Sequence, residues 1–201
     1  MFICFLLISF INCVRSDLYD NADKSPLALV SLQNPASHVD RMYLFTGPIS
    51  NGDLGGRAGA DNLCLNQRNS LYSFMQISTV KAFISVSSAD PINALLAPSM
   101  RSLPVYGMRQ NGTETLVSDT WYGLWDGAIA TDLSSALGVP ADTWWSGSTA
   151  GGLQDANLCG HWTLSQPWGK SGDLAKTDAA WIESIVQDCN ANSQRVLCMA
   201  Y

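Results

Sequence analysis

Three sets of residues in this chain of 201 amino acids could do chemistry. The first is Cys64, Cys159, Cys189 and Cys198, an even number spread through the body of the chain. None forms a C-x-x-C pair and the only histidines are His38 and His161, so two disulfides suit this set better than a zinc site. The second is His161, which follows Cys159-Gly160 and could act as a general base beside Ser146, Ser148 or an aspartate. No G-x-S-x-G or H-E-x-x-H word accompanies it, so the reading is a structural histidine in a protein that is not an enzyme. The third is the stretch from Asn111 to Gly169, which has no Lys or Arg but carries six of the seven tryptophans and six acids. As a binding surface, Trp121, Trp125, Trp144 and Trp145 would anchor a ligand while Asp126 and Asp142 steer a basic one. As a loop-rich subdomain, the same tryptophans would fill a small core and the aspartates would serve turns and caps.

Gly52, Gly55, Gly56 and Gly59 precede no Lys-Ser/Thr pair and do not spell G-x-G-x-x-G, so they predict positive-φ backbone ahead of a helix, not a phosphate cradle. That helix is expected over Ala58 to Leu71 with Cys64 on it, and Asp61 near its positive end. A second short helix is expected from Asp90-Pro91, a capping residue followed by a proline at the first helical position, to Leu96, before Pro98 stops it. Strands are expected over Arg41 to Thr46, closed by a Gly47-Pro48 turn, and over Val80 to Val86. Leu103 to Tyr106 and Thr115 to Val117 read as a hairpin around Asn111-Gly112, and Gln194 to Tyr201 as a terminal strand. The class is therefore α+β: one disulfide-linked domain over residues 40–201 with short strands, two short helices and long loops. A helix carrying Cys64 and a strand carrying Cys198 invite a long-range bridge, with Cys159 and Cys189 remaining, although spacing alone leaves all three connectivities open.

Composition sets the class of partner. Hydrophobic residues make up 47% and charged residues 14%, enough for a core, and the net charge of −6 with scattered Lys and Arg argues against nucleic acid. Fifteen of the 17 acids are aspartate and glycine numbers 16, a mixture that favours turns. Phe2 to Ile11 is a ten-residue apolar run, too short to span a bilayer, and reads as an export signal over residues 1–12. Cys13 directly follows Phe10-Ile11-Asn12, as an acylated cysteine follows a bacterial lipoprotein signal. The alternative is cleavage after Ser16 to release a secreted protein. Residues 13–39 are polar and aperiodic and read as a tether, holding the domain on the order of 25–30 Å from its anchor.

Six words in order resemble a family. Asn51-Gly52-Asp53-Leu54-Gly55-Gly56, Gly59-Ala60-Asp61-Asn62-Leu63-Cys64, Trp145-Ser146-Gly147-Ser148, Cys159-Gly160-His161-Trp162-Thr163, Trp181 with Cys189, and Val196-Leu197-Cys198 look like the endostatin-like domain of leptospiral surface lipoproteins. The resemblance covers residues 41–201 and implies an endostatin-like, C-type lectin-like fold with Cys64 paired to Cys198 and Cys159 to Cys189. It also implies an outer-membrane, surface-exposed adhesin or complement-evasion protein whose partners are host factor H, laminin and fibronectin. Dispersed arginines, no histidine within residues 40–201 before His161, and the lack of Glu-Pro-Asn or Trp-Asn-Asp words separate this chain from heparin, zinc and calcium-dependent sugar binding. No cofactor or metal is expected. A glycan-binding module using tryptophan platforms is the alternative function.

Overall fold

A computed structural model describes residues 40–164 and 166–201, which belong to one compact unit, His38–Tyr201. The expected signal segment 1–12, Cys13 and the tether 13–39 lie outside the described residues. The strands are β1 (Met42–Ser50), β2 (Val80–Ala82), β3 (Val105–Met108), β4 (Glu114–Ser118), β5 (Thr143–Trp145), β6 (Trp168–Asp173), β7 (Val186–Asp188) and β8 (Gln194–Ala200). The helices are α1 (Gly56–Leu71) and α2 (Leu133–Leu137). The strands form one mixed sheet ordered β4-β3-β1-β8-β5-β6-β7, with β2 also paired to β8. The pairs β1 with β3 and β5 with β8 run parallel; the others are antiparallel. The fold is thus α+β, and no helix among the described residues is long and apolar enough to cross a membrane.

Both faces of the sheet are covered, so its central strands read as continuous burial. On β8, Val196, Cys198 and Ala200 point to one core with Phe45, Cys64 and Trp145, while Leu197 and Met199 point to another with Leu44, Phe83 and Trp144. The period of two along a strand divides the apolar residues between two layers. Helix α1 packs on the first face through Ala60 and Cys64, one turn apart, and Cys64 is bridged to Cys198. Arg57 fixes its other side: Nε donates to Asp90 Oδ2 at 2.8 Å, and the terminal nitrogens donate to the carbonyls of Ala82 and Ile84, each at 2.7 Å.

Several expected elements differ from those observed. Asp61 lies beyond the first turn of α1 and its carboxylate instead accepts from Ala82 N at 2.8 Å, tying the helix to β2. The helix expected over 90–96 is only a 3₁₀ turn at Ile92–Ala94, because the Asp90 carboxylate is spent on Arg57 and Pro98 follows at once. The second α-helix is α2, whose capping residue Asp132 accepts from Ser135 N at 2.8 Å. The chain does not turn at Gly47-Pro48; β1 continues to Ser50 through a register shift between Thr46 and Ile49, where Pro48 has no N–H to offer. Pairing of β2 stops at Ala82, after which Phe83 N bonds Leu197 O at 2.8 Å and Ser85 N bonds Ser146 O at 2.9 Å. The expected β3–β4 hairpin forms, with β3 starting two residues later than expected, at Val105, and running on to Met108, and the terminal strand β8 lies where it is expected.

Candidate binding surface

The four tryptophans expected on a surface sit inside. Trp121, Trp144 and Trp145 are fully buried and Trp125 is partly buried against the same core. Phe83 lies 5.7 Å from Trp144 and 6.3 Å from Trp181 in near-parallel stacking, and Trp121 meets Trp125 edge-on at 5.2 Å. The physical reason is volume: the segment supplies few aliphatic side chains, and indoles fill the space over the sheet. Three of their N–H groups are met by backbone carbonyls, Trp121 by Asn93 O at 3.1 Å, Trp144 by Trp181 O at 2.9 Å and Trp145 by Ser50 O at 3.2 Å, whereas the buried Trp125 N–H finds no acceptor among the described residues. The aspartates likewise serve the fold. Asp126 Oδ1 accepts from Ala128 N at 3.2 Å within a turn, and Asp142 pairs with Arg195 at 3.3 Å. The same side-chain-to-backbone turn recurs at Asp155, Asp173, Asp178 and Asp188, which accounts for the excess of aspartate over glutamate.

One tryptophan points out. Trp168, at the start of β6, is 52% exposed, and Gln166 and Pro167 before it are exposed as well. Alternation along β6 explains this. Gly169 and Ser171 face inward, and a Cβ on Gly169 would meet Cys159 Sγ at 2.6 Å and the Trp145 ring at 2.7 Å, so only glycine fits against that disulfide. Trp168, Lys170 and Gly172 face the other way. At Gly172 that side is roofed by Trp144 and Trp181, at Lys170 the side chain is still mostly buried beside Asp155 and Glu183, and at Trp168 it is solvent.

Strand β7 completes the ledge. Its register sets Asp188 opposite Trp168 and Val186 opposite Lys170. Cys189 N donates to Pro167 O at 2.8 Å and Ser171 N to Ile185 O at 2.9 Å, so these two cross-strand pairs lie between hydrogen-bonded ones and their side chains approach closely. Lys170 Nζ lies 3.9 Å from Asp155 Oδ2 and 3.8 Å from Glu183 Oε1, and Glu183 Oε2 accepts from Ala150 N at 2.6 Å. The surface is therefore an exposed indole and an exposed Val186 flanked by three carboxylates and one ammonium. The Cys159–Cys189 bridge lies directly beneath it, Cys189 being the residue after β7. Such a surface can bind an amphipathic ligand; a nucleophile and a base in contact are not among its groups.

The other candidates resolve differently. All four cysteines of the domain are spent in disulfides, Cys64–Cys198 and Cys159–Cys189, so the thiolate zinc site is overturned. Among the described residues no group of three or more His, Cys, Asp or Glu could hold a metal ion. Ser146 and Ser148 are fully buried. The Ser148 hydroxyl lies 2.7 Å from that of Ser85, which in turn accepts from Ile92 N at 2.8 Å. His161 Nδ1 is 2.7 Å from Val86 O, and among the described residues no hydrogen bond joins His161 to either serine. His161 and Trp162 have positive φ, 59° and 64°, in a turn whose carbonyl at Trp162 accepts from Leu54 N at 3.1 Å. His161 thus holds a strained turn against the segment after β2. Trp168, Val186 and Asp188 were not singled out by sequence reasoning, because exposure here depends on the parity of a six-residue strand containing two glycines. No family model matches the chain, and no curated protein matches it in sequence.

Proposed function

We propose that the chain is an exported, surface-tethered lipoprotein, anchored through Cys13, whose domain is a non-catalytic binding module for host extracellular proteins, with factor H, laminin and fibronectin as the candidate ligands. In this reading the domain is endostatin-like, with a C-type lectin-like fold. The words that carry the resemblance include several tightly constrained points in the structure. Gly52 is one: a Cβ there would sit 2.3 Å from Cys159 Sγ, so the first glycine word exists to let backbone lie on the second disulfide. Trp145, Trp162 and Trp181 are fully buried, and the cysteines are joined in nested pairs. Two disulfides suit a chain that folds outside the reducing cytoplasm.

The observation that carries the binding role is Trp168. A soluble domain that buries five tryptophans completely yet leaves one half exposed beside a valine has a feature common at binding hot spots. The test is surface plasmon resonance on immobilised factor H, laminin and fibronectin, comparing the parent chain with Trp168→Ala. Binding to at least one of them, weakened about thirtyfold or more by the substitution, is the expected outcome, since a hot-spot truncation costs about 2 kcal/mol or more. Unchanged binding to all that bind would remove Trp168 from the role. A flat indole beside a carboxylate also suits a sugar ring, which favours the glycan reading as second choice. Hits on a glycan array with none of the three proteins bound would put it first.

A further inference from the structure

We propose that the outer edge of β7 is a docking strip for an extended, basic peptide segment of the partner, which adds to the sheet as a further strand beside Val186 and Asp188. This rests on the binding-module reading above and specifies the partner's chemistry and its mode of attachment.

The backbone phase establishes which groups are on offer. Because the bonds to β6 are made by Ile185 and Cys189, the pairs Val186 with Lys170 and Asp188 with Trp168 are the non-hydrogen-bonded ones. Lys170 confirms the phase from the other side: its N–H donates to Asn157 O at 2.8 Å and its carbonyl accepts from Ser146 N at 3.1 Å, both away from β7. Val186 N–H and C=O and Asp188 N–H therefore point outward, and among the described residues they have no partner. The Asp188 carbonyl alone is occupied, by Ala191 N at 3.0 Å. β7 stands at the end of the sheet order. Unpaired edge groups of this kind are a template for another strand.

The side chains along the edge define what that strand carries. An added strand would alternate its side chains between the two faces. On one face they would meet Val186 and Trp168; on the other they would meet Ile185, 51% exposed, and Gln187. Both faces thus offer apolar contact. Charge decides the rest. Asp155, Glu183 and Asp188 against Lys170 leave the ledge acidic, so lysine or arginine on the incoming segment is favoured. The same charge opposes a second copy of this chain as occupant, because two β7 edges pairing antiparallel would bring like-charged Asp188 carboxylates and two chains of net charge −6 together.

The test uses the full chain labelled with ¹⁵N and three synthetic heptapeptides: acetyl-KVKVKVK-amide, its EVEVEVE counterpart, and KVKVKVK N-methylated at every central residue. Titration of the first is expected to shift the Val186 and Asp188 amides and the Trp168 indole N–H. The glutamate and N-methylated peptides are expected to bind about tenfold more weakly or worse, the second because it retains every side chain but lacks the strand-forming donors. Val186→Pro removes an outward N–H without touching a β6–β7 bond and is expected to abolish those shifts. Should that variant not fold, the N-methylated peptide decides alone. Shifts centred elsewhere, no shifts at all, equal binding by the N-methylated peptide, or Val186 and Asp188 amides already protected in the free chain would each overturn the proposal. A concentration-dependent dimer abolished by Val186→Pro would overturn it in favour of a second copy. Host-protein binding lost in Trp168→Ala but kept in Val186→Pro would remove this inference and leave the binding module standing. Peptide binding at β7 without any host protein bound would do the reverse.

Discussion

Trp144 and Trp168 carry the same indole and face the same side of the sheet, yet one has lost all contact with water and the other keeps half. The difference is what lies above each: Trp181, at 6.0 Å, covers Trp144, whereas among the described residues Trp168 stays 52% exposed. Trp144→Ala should therefore destabilise the domain by about 3–5 kcal/mol in urea denaturation, while Trp168→Ala should lie within about 0.5 kcal/mol of the parent. Equal effects would contradict their assignments. Tyr43 makes a second prediction. Burial first, then its hydrogen bond to Glu114 at 2.9 Å, pushes the phenol up to about 12 from its ordinary 10.0. The folded chain keeps a proton that the unfolded chain releases near pH 10, so stability is full below pH 10 and falls as pH rises toward 12. The difference in unfolding free energy between the parent and Tyr43→Phe should narrow across that interval; a constant difference would sink the assignment. A sequence cannot separate Trp168 from its relatives, because the residue types around each are alike and only strand parity and cover distinguish them.

At the scale of elements, the strands visible in the sequence are those with local cause. β1 opens on the apolar run Met42 to Phe45 and β8 carries the apolar run Val196 to Ala200, the β3–β4 hairpin has Asn111-Gly112 at its turn, and α1 starts at a pair of glycines, Gly55 and Gly56, with φ of 71° and 66°. β5, β6 and β7 have no such mark. Thr143–Trp145 and Val186–Asp188 are three residues long, and Trp168–Asp173 contains two glycines. They are strands because distant partners pair with them, a cause that composition and period do not register. The candidate surface lies on this half, which is why its location was hidden while its ingredients, tryptophan and carboxylate, were plain. The two disulfides brace the halves differently. Cys64–Cys198 spans 134 residues, against 30 for Cys159–Cys189. With loop entropy growing as 1.5RT times the logarithm of span, the longer bridge constrains the unfolded chain by about 1.3 kcal/mol more. Replacing each pair by alanine should cost about 2–5 kcal/mol, with the larger loss for Cys64–Cys198. Thermal denaturation giving the opposite order would show that Cys159–Cys189 acts mainly through native packing against Gly52 and Gly169.

For the whole molecule, the division of labour is between a sheet with a core on each face and, among the described residues, an open edge at β7. Helix α1, the aromatic cluster and the two sulfur bridges hold the body; the β6–β7 ledge retains an exposed indole, an open strand edge and an acidic margin. In the proposed binding role, the acidic margin steers a basic partner's encounter, and binding weakens with salt. Hydrogen exchange by mass spectrometry on the full chain, with and without saturating laminin, fibronectin or factor H, tests this most directly. The account predicts new protection over residues 166–170 and 185–188, with the buried tryptophan segments unchanged. Protection confined to another face of the domain, with the ledge exchanging as freely as before, would contradict it.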